Sequence, residues 1–303
     1  MQKVISVANM RDSDAYTIAN YVESRELMYR AAMGVFLAAE WRGRIGILTG
    51  SGNNGGDGYA LACILADRGI PCVLLRVSEK FSEDGRYYFD KAVEKGVEQR
   101  LYAGEPLDDY DILADCLLGT GFSGTVRGSF RAAIEAANRS GAYTICVDIN
   151  SGMNGDTGKA ELAVKSDLTV TIGYLKSGLF LGDAPRYVGK LITTDIGIRL
   201  LREEYFLAAP GEAVFPNTGL SLDSGPVLMR TPGELEGAAK EGETVIDAAR
   251  AQALAEKKLV RLPGQTPLVT DGYRTYFVQN GAFPLCLPSL GEASGDGEEG
   301  RNP

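Results

Sequence analysis

Apolar positions along this chain recur with two different periods. Between residues 24 and 40, Leu27, Met28, Ala31, Ala32, Val35, Phe36 and Ala39 fall on one face at helical spacing, behind Ser24 as a candidate cap. That stripe predicts an amphipathic helix. Ile45–Thr49 is instead a short apolar run bounded by glycines, followed by a glycine-rich turn and a helical pattern over residues 59–66. Strand, loop and helix are the natural reading. The alternation continues with a strand pattern at 72–77, a helix near 84–94, a strand at 111–117, a helix at 129–138 and a strand at Tyr143–Val147. Two further β-like runs, Leu168–Ile172 and 191–195, follow with no helix-length pattern between them and are expected to extend the sheet at one edge. Together these predict an α/β fold: Rossmann-like, three layers, with helices on both faces of a mostly parallel central sheet.

The texture changes near residue 203. Prolines, glycines and charges crowd residues 209–233, and residues 292–303 are almost wholly polar or glycine, the composition of a disordered tail. Between these stretches lie one helical pattern at 244–257 and one hairpin pattern at 267–278, turning at Asp271-Gly272. So few elements cannot close a core of their own, and the region is expected to be partly irregular. Few core contacts should then cross the boundary, and truncation near Glu203 should leave the first part nearly unchanged.

Composition narrows the chemistry. The 303 residues, 45% hydrophobic, suffice for one large core or two ordinary ones. No apolar run approaches the roughly 18 residues of a membrane span, and Lys3, Arg11, Asp12 and Asp14 interrupt the N-terminus where a signal peptide is apolar. A cytoplasmic protein with no membrane association is expected. The net charge of -9 argues against a nucleic-acid partner, whose phosphates the average surface would repel. Five cysteines without C-x-x-C spacing suggest buried thiols rather than disulfides or a zinc site. There is no histidine, so acid/base chemistry falls to Asp, Glu, Lys, Tyr or Cys.

Three glycine-rich segments follow strands. The first, Gly50-Ser51-Gly52-Asn53-Asn54-Gly55-Gly56-Asp57-Gly58, precedes a helix, where orphan N–H groups and the helix dipole favour phosphate. Its spacing is neither the dinucleotide fingerprint nor a P-loop, and by itself it reads equally well as a tight connection. The second runs from Asp115 through Gly119, Thr120, Gly121, Phe122, Ser123, Gly124 and Thr125; the third is Asp148-Ile149-Asn150-Ser151-Gly152. Each aspartate taken alone is readable as a loop cap. In a parallel sheet, however, strand C-termini share one edge, so the three loops should converge on one crevice.

The strings GSGNNGGDGYALA, DCLLGTGFSG, VDINSGMNGDTG and SDLTVTIGYLKSGLFLGDAP, in that order, resemble the YjeF N-terminal domain, the NAD(P)H-hydrate epimerase family. MRDSDAYTI and ELMYRAA near the N-terminus fit the same resemblance. It implies an enzyme that interconverts the R and S forms of NADHX and NADPHX, in which water has added to the nicotinamide ring, and it implies a homodimer. It implies that Asn53, Asn54, Gly55, Gly56, Asp57, Gly119 to Thr125 and Asp148 contact substrate, and that Asn54, Asp115 and Ser151 hold a potassium ion, a hard cation suited to oxygen donors.

Epimerisation requires the hydroxyl to leave with acid assistance while ring nitrogen supplies electrons, and water to return on the other face. Asp148 is the first candidate for moving that proton. Lys176, in the segment matching the family's K-P-G, is the second catalytic candidate, as a phosphate or charge partner; it also reads as a solvated surface lysine. Asn150 and Ser177 stand where prolines are common in the family, which should loosen these loops.

The resemblance also divides the chain. Residues 1–204 form the epimerase domain, 205–291 resemble a degenerate or truncated ribokinase-like dehydratase, and 292–303 form the tail. VLMRTPGEL from Val227 and TPLVTDGYRTYFVQNG from Thr266 look like pieces of that partner. Its catalytic Gly-Gly-Ser-Gly-Asp loop has no intact counterpart, Ser294-Gly295-Asp296 being the nearest trace, so dehydratase activity is expected to be absent. The alternative function is a catalytically silent scaffold binding a protein or RNA through the same surface.

Overall fold

The computed structural model describes residues 1–209, 213–215, 220–221, 227–237, 243–279 and 285–286. The polar tail at 292–303 lies outside the described residues. In chain order the first elements are β1 (Gln2–Ile5), α1 (Val7–Asn20), α2 (Ser24–Leu37), β2 (Ile45–Thr49), α3 (Asn53–Asp67), β3 (Cys72–Arg76) and α4 (Glu83–Glu94). Next come β4 (Glu98–Leu101), β5 (Ile112–Cys116), α5 (Gly128–Arg139), β6 (Tyr143–Val147), β7 (Leu168–Ile172), β8 (Leu175–Lys176) and β9 (Lys190–Thr194). The remainder holds β10 (Tyr205–Ala208), β11 (Val214–Phe215), β12 (Leu220–Ser221), β13 (Val227–Met229), α6 (Pro232–Glu236) and α7 (Val245–Glu256). The last strands are β14 (Leu259–Leu262), β15 (Leu268–Thr270), β16 (Thr275–Val278) and β17 (Leu285–Cys286).

The alternating pattern folds as expected into an eight-stranded, all-parallel sheet in the order β17-β9-β7-β6-β5-β2-β3-β4. Strands β2, β5 and β7 are buried along their whole length, which is why they read as apolar runs without alternation. One face packs Ile45, Ile47, Ala114 and Val147 against α2, α3 and α4. The other sets Leu48, Leu113 and Cys146 against Ala133, Ile134 and Ala137 of α5. Successive strands step away from β2 on one side and from β5 on the other, so the topological switch lies between these two. Ligand crevices of open α/β sheets form there, beyond the strand C-termini.

Four local expectations differ from the structure. Ser24 is the first helical residue of α2 rather than its cap, Glu23 standing at the cap without a side-chain bond. Helix α3 begins at Asn53, so the Asn-Asn-Gly-Gly-Asp stretch is helical rather than a loop before a helix. Helix α1 has no counterpart in the apolar pattern because its buried face is polar, formed by Asn9, Ser13 and Thr17. These three bond to the returning chain: Asn9 Nδ2 donates to Arg202 O at 2.8 Å, Leu201 N to Ser13 Oγ at 3.1 Å and Arg199 N to Thr17 Oγ1 at 2.9 Å. Nor does Asn150 loosen its loop. Its buried amide donates to Val164 O at 2.9 Å and Tyr187 O at 3.0 Å and accepts from Thr169 Oγ1 at 2.8 Å, while Ser177 Oγ donates to Asp156 O at 2.9 Å. Both polar side chains are thus tied into their loops by hydrogen bonds.

The largest departure concerns residues beyond 204. The predicted helix forms as α7, capped by Thr244, and the predicted hairpin as β15 and β16. Neither is a stray element. The hairpin belongs to a seven-stranded sheet in the order β13-β14-β15-β16-β10-β1-β8, against which α7 packs and in which β10 pairs antiparallel with β1 and β1 pairs parallel with β8. Val4, Ile149, Leu175, Phe180 and Leu191 share one core with Ile246, Ala249, Leu262 and Phe277. Phe277 stacks on Phe180 at 5.1 Å between ring centroids. The boundary at residue 204 therefore runs through a hydrophobic core, contrary to the expectation of few crossing contacts.

Truncation after Glu204 should accordingly lower the melting temperature of the remaining chain by on the order of 10 °C or more. The milder Phe277→Ala should cost about 3–5 kcal/mol. Calorimetry on both variants checks this; an unchanged melting temperature for the truncated chain would show that residues 1–204 are self-sufficient.

Candidate active site

Glycine at three positions lets the two loops at the switch point meet. A Cβ at Gly50 would lie 1.9 Å from Leu117 O, one at Gly55 would lie 2.3 Å from Gly50 O, and one at Gly58 would lie 2.9 Å from Cys116 Cβ. At Gly50 and Gly55 the close approach is backbone against backbone, and at Gly58 it is to the side chains of Thr49 and Cys116. These approaches seat the start of α3 directly on β2 and β5. Gly52 caps α3 without a side-chain bond, and the first i to i−4 bond runs from Gly56 N to Gly52 O. The preceding N–H groups are left without intrahelical acceptors, as at any helix start.

A cleft of about 690 Å³ opens above these loops. Among the predicted residues, Asn53, Asn54, Asp57, Gly119, Thr120, Gly121, Phe122, Ser123, Asp148 and Lys176 line it. Gly55 and Gly56 do not; they are buried in α3, Gly56 within 2.6 Å of Met28 for an added Cβ. Gly124 and Thr125 lie off the lining, and Asp115 and Ser151 are buried behind it. The cleft also holds residues the sequence reading did not select: Met10, Arg11, Asp14 and Ile18 from α1, and Asp84 at the start of α4. The signal for α1 was the N-terminal string itself, since no apolar stripe marks that helix.

Asp115 is fully buried, and all its hydrogen bonds come from neutral donors: Ser151 Oγ at 2.6 Å, Ser151 N at 2.9 Å, Leu117 N at 3.2 Å and Cys146 Sγ at 3.2 Å. Burial raises its carboxyl above the usual range, opposed by the bonds from Ser151. Asn54 Nδ2 donates to Leu118 O at 3.0 Å, and Leu118 N donates to Ser151 Oγ at 2.8 Å, so the three residues converge on one turn. The Asn54 Oδ1 atom is buried without a hydrogen-bond partner. Cys63 and Cys72 are buried thiols, pushed up by burial to about 11 and about 12, so neither supplies a thiolate at neutral pH.

Lys176 is fully buried rather than solvated. Its ammonium is salt-bridged to Asp148 Oδ1 and donates to Ile172 O at 2.6 Å and Thr171 Oγ1 at 3.2 Å. Asp148 sits in the left-handed region at φ 69°, which few non-glycine residues adopt. Its N–H donates to Val170 O at 2.8 Å, and its Oδ1 also accepts from Ile172 N at 3.1 Å. Chain reversal at this residue turns the carboxylate into the cleft. Asp57 is pushed well above the ordinary carboxylate range by burial first and then by the charges of Asp148 and Asp14, Lys176 opposing. Asp14 is raised for the same reasons, burial first and then Asp148.

Residues 24–178 match the family described as YjeF-related protein N-terminus. The NAD(P)H-hydrate epimerase of Limosilactobacillus fermentum is 34% identical over 214 residues, which cover 64% of this chain and 97% of the relative. The bifunctional NAD(P)H-hydrate repair enzyme Nnr of Coxiella burnetii is 34% identical over 218 residues, 70% of this chain. This chain spans only 43% of that bifunctional relative. The crystal structure of the yeast protein ynu0 shares the fold, with a TM-score of 0.52 at 19% identity over 58% of this chain and 82% of that one. A match over just over half of the 303 residues, and an epimerase matched along nearly its whole length, carry one conclusion: this chain belongs to the YjeF-related protein N-terminus family.

Proposed function

We propose that this chain interconverts the R and S forms of NADHX and NADPHX. The observation that carries the reading is the buried Asp148–Lys176 ion pair, facing a cleft whose wall is the open N-terminus of α3. The free N–H groups there suit the substrate diphosphate, and the loop from Gly119 to Ser123 forms the facing wall. Expulsion of the ring hydroxyl leaves a cation at the hydrated carbon and ring nitrogen. A carboxylate already fixed in place stabilises that charge without reorganising. A silent scaffold gains nothing from a buried lysine and a strained aspartate, both of which cost folding free energy. The net charge of -9 likewise supports a small-molecule ligand over a nucleic acid.

The same reading places potassium with Asn54, Asp115 and Ser151. The buried Asn54 Oδ1 lacks a partner and the Asp115 carboxylate has only neutral donors, so a hard monovalent cation fits this oxygen set. When bound, the ion would supply positive charge beneath the α3 N-terminus. We also propose that the chain lacks nucleotide-dependent dehydratase activity, because the catalytic glycine-aspartate loop of that reaction has no intact counterpart in its sequence.

Asp148→Asn should lower kcat by on the order of 100-fold or more, and, because it strips the buried Lys176 ammonium of its carboxylate, it should also lower the melting temperature. Chromatography of separated R-NADHX for the S form measures the rate, and near wild-type turnover by the folded variant would remove Asp148 from the mechanism. Exchanging potassium for tetramethylammonium should slow turnover several-fold; equal rates in the two salts would remove the ion. Incubating S-NADHX with ATP or ADP should yield no NADH, and nucleotide-dependent recovery of NADH absorbance would reveal a second site.

A further inference from the structure

Lys176 has no donor left for a second carboxylate. An ammonium carries three N–H groups, and these go to Asp148, Ile172 O and Thr171 Oγ1. Asp57 on α3 and Asp14 on α1 face the same cleft, and neither has a cationic hydrogen-bond partner among the described residues. The other charges around it are spoken for or solvated. Asp84 on α4 pairs with Arg25 at 3.3 Å, Arg11 on α1 is exposed, and Cys116 on β5 is buried below Asp57 with its thiol raised well above its ordinary range. Ionising Asp14, Asp57 and Asp148 together against one buried ammonium leaves uncompensated like charges in one site. Carboxyl groups so placed retain a proton between them.

We propose that Asp57 holds this proton and is the catalytic acid of the epimerisation, with Asp148 first and Asp14 second as the neighbouring charges that keep it there. The inference rests on the epimerase reading and divides labour within it. Asp148 is already bonded to Lys176 and Ile172 N, and protonating it would leave a buried ammonium without its counter-ion. Asp57 carries no such commitment. In the forward step the C–O bond of the hydrated carbon breaks, and its electron pair goes to oxygen. The Asp57 proton joins that oxygen and water leaves, while the ring nitrogen lone pair forms a C=N bond and Asp148 faces the resulting cation. In the return step water adds to the opposite face, its proton goes to the Asp57 carboxylate, and the pair returns to nitrogen. No oxidant or reductant is consumed.

The test uses the full chain and two readouts. The acid form is present below the raised pKa of Asp57, so wild-type kcat should fall as pH rises through it. Asp57→Asn should lower kcat on the order of 100-fold or more with a smaller change in KM, and Asp57→Glu should restore part of the rate. Asp14→Asn removes a like charge, so the alkaline limb should move to lower pH, a shift that loss of packing alone would not produce. In the ligand-free protein, carboxyl carbon NMR should show the Asp57 resonance, identified by its loss in Asp57→Asn, titrating well above the ordinary range. Turnover by folded Asp57→Asn within a few-fold of wild type overturns the proposal, as does a spectrum without the raised carboxyl. A wild-type chain that shows the raised carboxyl yet never epimerises the substrate overturns the epimerase reading, and with it the catalytic use of this proton.

Discussion

Burial of the Lys176 ammonium is the constraint around which this cleft is arranged. A lysine charge removed from water is tolerated only when each of its donors finds an acceptor and a carboxylate stands beside it. Meeting that demand fixes much else. Ile172 O and Thr171 Oγ1 come from the end of β7, and the backbone reversal after Gly173 returns the chain as β8 with the ammonium pointing back at them. Asp148 reaches the same point only by adopting a left-handed conformation. With Lys176, the buried cation among the described residues, so engaged, Asp14 and Asp57 face the cleft without an ion-pair partner there.

Much of this was legible in the sequence, and the parts that were not have physical reasons. The parallel sheet showed itself because doubly covered strands such as Ile45–Thr49 and Leu168–Ile172 are continuous apolar runs, a pattern that survives without knowledge of partners. Convergence of the three glycine-rich loops followed from parallel topology alone. Helix α1 was hidden because Asn9, Ser13 and Thr17 bury it through hydrogen bonds, and Asp14 was hidden with it. The glycine turn reads equally well as a phosphate-facing loop and as a tight connection, and periodicity cannot say that Gly50 and Gly55 make room for the chain itself. Periodicity reports burial of apolar side chains and is blind to both arrangements.

The second sheet was illegible for a different reason. Its individual elements, the Thr244-capped helix and the hairpin turning at Asp271-Gly272, carry clear local signals. Their meaning depends on β10 finding β1, and Val4↔Tyr205 is a pairing across most of the chain. Counting elements within residues 205–303 omitted the strands that the N-terminal part contributes. Once β1 and β8 are included, Phe277 and Leu262 complete a core that Val4, Leu175 and Phe180 begin.

That pairing also sets a timetable. The chain is made from its N-terminus, so β1 leaves the ribosome while both of its neighbours, β8 and β10, are still unsynthesised. Its apolar residues Val4 and Ile5 must wait, with both strand edges unpaired, until residues 175–208 have followed, and the sheet beyond them closes only after residue 278. Contacts of such long sequence separation form slowly and leave edges exposed to association with other chains. The strand that anchors the lysine-bearing edge of the cleft therefore waits longest for its partners among the strands of its own sheet.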